Sequence, residues 1–318
     1  MSENQAENIN IRKAILSAVA FFDIFEYPLT AWEIWKFLYK NQASFSEVLC
    51  QLETMMQKRM LISSQGYYFF PHKEKYILTR NKRYGFAEKK YAIAKRCATI
   101  LSYLGGVKLV CVCNSLALSN VREESDIDFF IITQKNRIWS TRFLVTLMAH
   151  FTRMRRHHEK IQDRVCLSFY ISEEACNLEK ILLEKDIYFF YWLVNLYPVY
   201  DREDIFEKFW NENKWLRECF PNIFLRAPSL RRQVKARTLK NIIIRFGEII
   251  SNSFFGEMIE RILKKFQMRK ILKNTESVFR FHDTRVIVSD SMLKFHENDR
   301  RETYREAWNK NLEKYTLQ

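Results

Sequence analysis

The sequence is poor in the residues that interrupt regular structure. Its 318 residues include only 6 glycines and 5 prolines, whereas phenylalanine and tyrosine number 26 and 15. Glycine and proline mark turns and end helices, so their scarcity disfavours a strand-rich sandwich or an array of flexible linkers. The composition is typical of a helix-rich, aromatic-packed α+β protein with one modest sheet.

Two other patterns are missing. The seven cysteines are odd in number and show no Cys-x-x-Cys pair with distant histidines, which disfavours a disulfide framework and a zinc site. Cys111 and Cys113 are interpreted as small buried hydrophobic residues. No apolar run approaches about 18 residues, and the start MSENQAENIN lacks a signal-peptide pattern. We expect a reduced, cytoplasmic protein without a transmembrane segment.

Length and charge suggest several domains and an anionic partner. A chain of 318 residues with 47% hydrophobic content exceeds the usual size of one domain and supplies enough apolar residues for two or three cores. The net charge of +15 favours a polyanionic partner such as a nucleotide or nucleic acid, without specifying which.

Residues 1–75 show the order helix, helix, helix, hairpin. Helical spacing or capping signals cover 11–25, 31–39 and 44–58, and two short strands, 61–64 and 67–70, flank Gln65-Gly66. This order predicts a winged helix-turn-helix-like domain. Its third helix offers Gln51, Gln57, Lys58 and Arg59 to DNA but also two glutamates, so a packing or docking role is the alternative.

Residues 76–175 predict a small α/β domain, and residues 176–318 a C-terminal helical domain. The α/β domain begins with a leading helix, 76–104. It continues with strands at 107–113, 127–133 and 165–171, the last two separated by a helix over 139–155.

The most informative residues are Asp126 and Asp128, at the start of the second strand of this domain. Residues two apart in a strand project to one side, about 6 to 7 Å from each other, so their carboxylates can converge. Two such acids beside a triphosphate can hold the divalent ions that bridge phosphate oxygens. Ser115, just after the preceding strand, can receive phosphate through its hydroxyl and nearby amides.

This arrangement resembles the signature of the DNA polymerase beta-type nucleotidyltransferase superfamily. There a Gly-Ser pair after one strand precedes an Asp-x-Asp at the next; the matching residues here are Asn114-Ser115 and Asp126-Ile127-Asp128, within about 65 residues. The resemblance implies a mixed sheet, Mg²⁺ or Mn²⁺ held by Asp126 and Asp128, and a nucleoside triphosphate as substrate. Candidate nucleotide contacts are Asn114, Ser115, Arg122, Ser125 and Arg142.

The sequence departs from the family pattern at two places. Asn114 replaces the glycine that lets the backbone approach phosphate, although asparagine tolerates left-handed geometry better than most residues. The family's third carboxylate has no match in DRVCLSFYIS, where Ser168 occupies the middle of the strand. Asp163, Glu173 and Glu174 flank that strand, and each would need a shifted register to reach a metal.

Two C-terminal features are further candidates. Residues 226–273 contain 13 Lys or Arg against 3 Glu around apolar residues, a pattern that fits RNA, DNA or an anionic membrane surface, or a helical subdomain with a basic rim. His282, Asp283, His296 and Asp299 are interpreted as turn or helix-cap residues. The alternative is that they help to close the site.

These patterns predict Mg-dependent transfer of a nucleoside monophosphate to an unknown acceptor hydroxyl, with Asp126 and Asp128 as catalytic metal ligands. The alternative is a catalytically degenerate binding protein, either a nucleotide sensor or a nucleic-acid-binding regulator. The missing third carboxylate favours this alternative.

Overall fold

The computed structural model describes residues 3–157, 160–234, 251–274, 284–296 and 299–316, together with Ile244, Gly247 and Ile249. These residues form 11 α-helices and two sheets. The expectation of a helix-rich α+β protein is therefore confirmed. Within the described residues, no helix combines the length and the hydrophobicity that crossing a membrane requires.

The N-terminal unit contains the predicted helices and hairpin, with one extra short strand. Thr30 and Ser44 each begin a helix with a capping box, in which the glutamate three residues later bonds back to the cap backbone. In chain order the elements are α1 (Glu3–Asp23), β1 (Leu29–Thr30), α2 (Ala31–Lys36), α3 (Phe45–Gln57), β2 (Ile62–Ser64) and β3 (Tyr67–Phe69), with sheet order β1-β3-β2.

A six-stranded mixed sheet forms the centre of the molecule. Its strands are β4 (Val107–Val112), β5 (Ile127–Thr133), β6 (Val165–Ser172), β7 (Tyr197–Asp201), β8 (Val286–Val288) and β9 (Met292–Phe295), in the order β7-β4-β5-β6-β9-β8. Strands β5 and β6 run parallel, and every other neighbouring pair is antiparallel. The three strands predicted from hydrophobic runs lie side by side at its middle.

Three strands of this sheet come from residues beyond 175, where the sequence predicted only helices. This is a correction to the expected helical C-terminal region. Strands β8 and β9 have three and four residues, and β7 directly follows a helix. Such short segments carry no clear alternation, so only pairing with distant strands identifies them.

Helices cover both faces of the sheet. On one face, α4 (Lys75–Leu101) and α6 (Ile138–Phe151) pack on alternate residues of the strands, including Val110, Ile131 and Tyr170. On the other, Cys111, Phe130 and Phe169 join a core shared with the N-terminal unit. Four further helices contribute side chains to that core: α7 (Ile187–Asn195), α8 (Ile205–Glu212), α9 (Leu216–Cys219) and α11 (Arg301–Thr316). The remaining helices of the described residues are α5 (Asn114–Ala117) and α10 (Phe254–Asn274).

The N-terminal unit is anchored to the C-terminal helix α11. The indole nitrogen of Trp308 donates a hydrogen bond to the Ser17 carbonyl at 3.0 Å. Phe70 and Tyr315 stack with ring centroids 3.5 Å apart. The N-terminal unit therefore packs against the C-terminal helix through both contacts.

Candidate functional site

Asp126 and Asp128 lie at the N-terminal end of β5, in the middle of the six-stranded sheet. The Asp128 carbonyl accepts a hydrogen bond from the Cys113 amide at 3.1 Å, and the Ile127 amide donates to the Arg164 carbonyl at 2.8 Å. These bonds fix the backbone on both sides of β5. One carboxylate oxygen of each aspartate and the sulfur of Cys166 all lie within 4.8 Å of one another.

Cys166 reaches this cluster because of the register between β5 and β6. Asp128 stands opposite Cys166, and Phe130 stands opposite Phe169, so two residues of β5 face three of β6. One extra residue in a strand makes a β-bulge, which redirects the side chains around it. The place beside Asp128 on the neighbouring strand is therefore occupied by a thiol.

The cluster holds more negative charge than its surroundings neutralise. Burial, and then the neighbouring Asp126, raise the pKa of Asp128 to about 6. Burial and the same Asp128 raise the pKa of the Cys166 thiol to about 12, so the thiol is neutral at pH 7. Arg156 supplies one positive charge, with its guanidinium 2.7 Å from the Asp126 carboxylate.

Asn114 adopts the left-handed backbone conformation, with φ of 54°, which asparagine tolerates better than most residues. Its side chain has a function that a glycine could not provide. The amide nitrogen donates to the Asp128 carboxylate at 2.8 Å, and the amide oxygen accepts from the Tyr188 hydroxyl at 3.3 Å. Ser115 follows in α5, which is a single turn, and is exposed beside this network.

Lys90 fixes the loop that leads to the aspartates. Its side chain is buried, and its ammonium donates to the carbonyls of Glu123 and Ser125 at 2.9 and 2.7 Å. The same ammonium lies 2.6 Å from the Asp163 carboxylate. Buried charges persist when paired and hydrogen-bonded, as here. This lysine of α4 thus ties the loop before β5 to the loop before β6.

The structure does not bring all of the predicted nucleotide contacts to the cluster. Arg122 is exposed in the loop before β5, and Ser125 contributes its carbonyl to Lys90. Arg142 lies on α6, where it bonds Gln267 at 2.5 Å and stacks on Phe295. Since α6 covers the sheet face opposite to Asp128, Arg142 does not join the acidic cluster. Helical periodicity could not say which sheet face that helix would cover.

None of the candidate third carboxylates reaches the cluster. Asp163 pairs with Lys90. Glu173 accepts from the Lys135 amide at 2.9 Å, and Glu174 forms an ion pair with the Lys135 side chain. The Ser168 hydroxyl lies 3.1 Å from the His296 imidazole and also forms a side-chain hydrogen bond with Cys166.

A cavity of about 170 Å³ adjoins the cluster on the same sheet face. Asn114 lines this cavity while donating to Asp128, so the two spaces are neighbours. Five aromatic side chains form much of its wall, namely Phe169, Tyr188, Phe189, Trp192 and Tyr304. The sequence had no signal for this cavity, because its walls come from α5, β6, α7, β9 and α11.

A second charged cluster borders the cavity. Arg301 contacts Asp186 at 2.8 Å and Asp299 at 2.9 Å, and Lys294 contacts Asp299 at 3.0 Å. All four side chains are at most 7% exposed. Asp299 thus has a structural role at the start of α11, close to the expected cap role, while His296 lies in the cavity wall.

The basic segment 226–273 is only partly described. Arg226 bonds the Ala117 carbonyl at 3.1 Å, and Arg231 and Arg232 pair with Glu88, so its first cations serve internal contacts. Helix α10 presents exposed apolar side chains, namely Phe254, Phe255, Met258, Ile259, Ile262, Phe266 and Leu272. Residues 235–243, which continue this basic segment, lie outside the described residues.

The third helix of the N-terminal unit carries a mixed surface. Gln57, Lys58 and Arg59 are exposed at its end, but Glu47 and Glu53 are exposed on the same helix. Its apolar side is buried in the shared core, with Val48, Leu52 and Met55 inside. A DNA contact through this helix stays a prediction.

Sequence reasoning missed several residues of the site. Cys166 was overlooked because its place depends on the bulge. Arg156 was overlooked because it lies 30 residues from Asp126, and Lys90 because it lies 35 residues from Ser125, whose carbonyl it binds. Lys90 lies next to Lys89 in the charged segment KKYAIAKR, so the sequence had no signal that distinguished it from surface lysines.

Comparisons of the chain with protein-family models, with curated proteins and with solved structures gave no match.

Proposed function

We propose that this chain is a metal-dependent nucleotidyltransferase, which moves a nucleoside monophosphate from a triphosphate to an acceptor hydroxyl. The observation that carries the proposal is the convergence of Asp126, Asp128 and Cys166 within 4.8 Å at the centre of the mixed sheet. The resemblance of Asn114-Ser115 and Asp126-Ile127-Asp128 to the superfamily signature supports it.

The carboxylates of Asp126 and Asp128 fit Mg²⁺ or Mn²⁺, whereas the sulfur of Cys166 is not a ligand that these ions prefer. Mg²⁺ is usually bound by one or two carboxylates together with substrate phosphates, and carboxylates also suit Mn²⁺. The raised pKa of Asp128 has burial and Asp126 as its main causes, so a cation between the two carboxylates would relieve their repulsion. A bound divalent ion would neutralise phosphate charge and orient the triphosphate for in-line displacement.

The residues around the carboxylates would position the nucleotide. Asn114 holds the orientation of Asp128, and exposed Ser115 offers a hydroxyl and backbone amides to phosphate oxygens. Arg156, with 46% of its side chain exposed, can exchange its contact with Asp126 for a phosphate oxygen, to which guanidinium binds bidentately. Catalysis in this proposal comes mainly from positioning and charge neutralisation.

A second function is favoured by one observation, which is the thiol in place of a third carboxylate. With a pKa raised to about 12, Cys166 cannot take a proton from an acceptor hydroxyl at neutral pH. The alternative is a protein that binds nucleotide without transferring it, as a sensor or a nucleic-acid-binding regulator.

Calorimetric titration tests the site that both functions share. Each nucleoside triphosphate is titrated into the wild type, with and without Mg²⁺ or Mn²⁺, and into the double variant Asp126→Asn, Asp128→Asn. The double variant Glu123→Gln, Glu124→Gln is the matched control, because both glutamates are exposed in the same loop. We expect metal-dependent binding in the wild type and the control only. Equal binding by the aspartate variant would overturn the site.

Transfer of label separates the two functions. Wild type is incubated with α-labelled triphosphates, Mn²⁺ and fractionated cell extract, and new labelled products are sought. Products that require Asp128 would support the transferase. Nucleotide binding without any labelled product would support the sensor.

A nucleic-acid partner belongs to the regulator alternative and has its own test. Binding of generic duplex DNA is measured from low to moderate salt, because each phosphate contact steepens the loss of affinity with salt. A steep loss that weakens in Lys58→Gln, Arg59→Gln would support a DNA contact at the end of α3. No binding at low salt would remove it.

A further inference from the structure

The cavity beside the acidic cluster has the size of one small ring. Its volume is about 170 Å³, and an engineered apolar cavity of about 150 Å³ accommodates benzene. A single six-membered ring therefore fits without displacement of the walls. A fused two-ring group exceeds this volume, so part of it would extend out of the cavity into solvent.

The walls of the cavity favour a flat, aromatic occupant. Tyr188 and Tyr304 are stacked with centroids 4.8 Å apart and planes at 21°. Phe169 and Trp192 are stacked at 5.6 Å and 23°. Nucleobases stack on aromatic side chains in single-stranded nucleic-acid complexes whatever their sequence, because every base has a planar face.

The charges around the cavity favour a neutral occupant. Lys294 and Arg301 are matched by Asp299 and Asp186 at 2.8 to 3.0 Å. His296 is neutral at pH 7, because burial and the nearby Lys294 lower its pKa to about 4. The two buried cations are therefore already paired, and the remaining cation of the lining, Arg300, is exposed at the rim rather than inside the cavity. A neutral ring needs no charged partner from the buried walls.

Polar atoms in the wall can bind the edge of a heterocycle. The imidazole of His296 and the carboxamide of Asn114 both line the cavity. A carboxamide has two N–H donors and an oxygen that can accept two hydrogen bonds. A neutral imidazole has one donor and one acceptor. These groups suit the alternating carbonyl and N–H groups of a base.

Asn114 also connects the cavity to the acidic cluster, since it donates to Asp128 at 2.8 Å. A ligand with its ring in the cavity would direct its remaining part toward Asp126 and Asp128. We propose that the cavity receives the base of a pyrimidine nucleotide whose phosphates lie at these aspartates. This inference rests on the proposed nucleotide site and adds a preference for one-ring over two-ring bases.

The test is a comparison of four triphosphates by calorimetry, using the full chain with Mn²⁺. We expect UTP and CTP to bind at least tenfold more tightly than ATP and GTP. Tyr304→Ala enlarges the cavity, because Tyr304 forms one side of the tyrosine stack, and should reduce this preference at least fivefold. Tyr84→Ala is the matched control, since Tyr84 is 49% exposed on α4, and should leave the preference unchanged.

The outcomes separate this inference from the proposed function. Equal binding of all four triphosphates, tighter purine binding, or a preference that survives Tyr304→Ala would overturn the pyrimidine pocket and leave the metal site standing. Uridine or cytidine without phosphate is the second probe, titrated without metal. If these nucleosides bind but no triphosphate shows metal dependence, the pocket is supported and the transferase proposal fails.

Discussion

The two charged clusters beside the cavity differ in how their charges are matched. In the cluster of Asp186, Lys294, Asp299 and Arg301, two anions face two cations and every side chain is nearly buried. In the cluster of Asp126, Asp128 and Cys166, two carboxylates crowd a neutral thiol, and one exposed arginine pairs with Asp126.

The first cluster stabilises the fold, whereas the second is the one that the proposed function assigns to a metal and a nucleotide. A matched, buried set is satisfied without any partner and holds α7, β9 and α11 together. An unmatched acidic pair destabilises the folded chain, and a bound cation would relieve this repulsion. Perturbed pKa values that arise from like charges and burial are typical of functional sites. The following predictions break each cluster in turn.

The largest effect on stability is expected from Arg301→Met. The substitution leaves Asp186 and Asp299 buried with less compensation, and the loss of one partner in a buried pair costs about 3–5 kcal/mol. Urea unfolding monitored by circular dichroism measures this. Arg300→Met is the control, because Arg300 is exposed, and should change stability by less than about 0.5 kcal/mol. Similar stability of the two variants would show that the matched cluster is dispensable.

Lys90→Met is expected to destabilise the fold by about 3 kcal/mol, since two loop carbonyls and the Asp163 carboxylate lose their common donor. Because those carbonyls belong to Glu123 and Ser125, metal-dependent nucleotide binding should also fall at temperatures where the variant is folded. The exposed neighbour Lys89 provides the control, Lys89→Met. Unchanged nucleotide affinity in a destabilised Lys90→Met would restrict this lysine to a structural role.

Asp128→Asn should stabilise the metal-free protein. The pKa of Asp128 is raised from 3.8 to about 6, so between those values the folded state keeps a proton that the unfolded state loses. Wild-type stability therefore decreases as the pH rises through this window. One pKa unit corresponds to about 1.4 kcal/mol, so the variant should gain on the order of 2 kcal/mol at pH 7.5.

The measurement is urea unfolding in a metal chelator at pH 7.5 and at pH 4. The advantage of Asp128→Asn should be present at pH 7.5 and nearly absent at pH 4, where the wild-type carboxyl is protonated in the folded state. A variant less stable than wild type at pH 7.5 would mean that Asp128 is satisfied without a cation.

The smallest effect on stability is expected from Arg156→Met. Its pair with Asp126 is half exposed, and such pairs contribute at most about 1 kcal/mol. Arg156 competes with a metal ion for Asp126. Its removal should therefore tighten Mn²⁺ binding by up to about fivefold, because about 1 kcal/mol corresponds to a fivefold change in affinity. Paramagnetic resonance titration of Mn²⁺ measures this, with Arg153→Met as the exposed control. Weaker Mn²⁺ binding would show that Arg156 helps to build the metal site.

The predictable part of the fold is the part with long, regular patterns. The hydrophobic run after Asp126 is the strand Ile127–Thr133 in the structure, as predicted, and Val107–Val112 and Val165–Ser172 differ from prediction by one residue. Strands β7, β8 and β9 were missed. Strands of three to five residues depend on pairing with distant partners, and local periodicity contains no information about those partners.

The candidate site likewise has residues that the sequence predicts and residues whose positions it does not predict. The spacing of Asp126 and Asp128 places both at the start of one strand, because side chains two apart share a side, and Asn114 could be expected to accept a left-handed backbone. Arg142 was placed on the correct helix, but its rotation toward Gln267 could not be deduced from the helix alone.

The sequence by itself determined the helix-rich α+β class, the three central strands and the pairing of two carboxylates on one of them, since all of these depend on local period and residue type. Tertiary structure alone decided that Cys166 joins the cluster, that Lys90 supports its loop, and that five elements form the walls of the cavity. Each depends on strand register, a bulge or helix packing, which bring together residues distant in the chain.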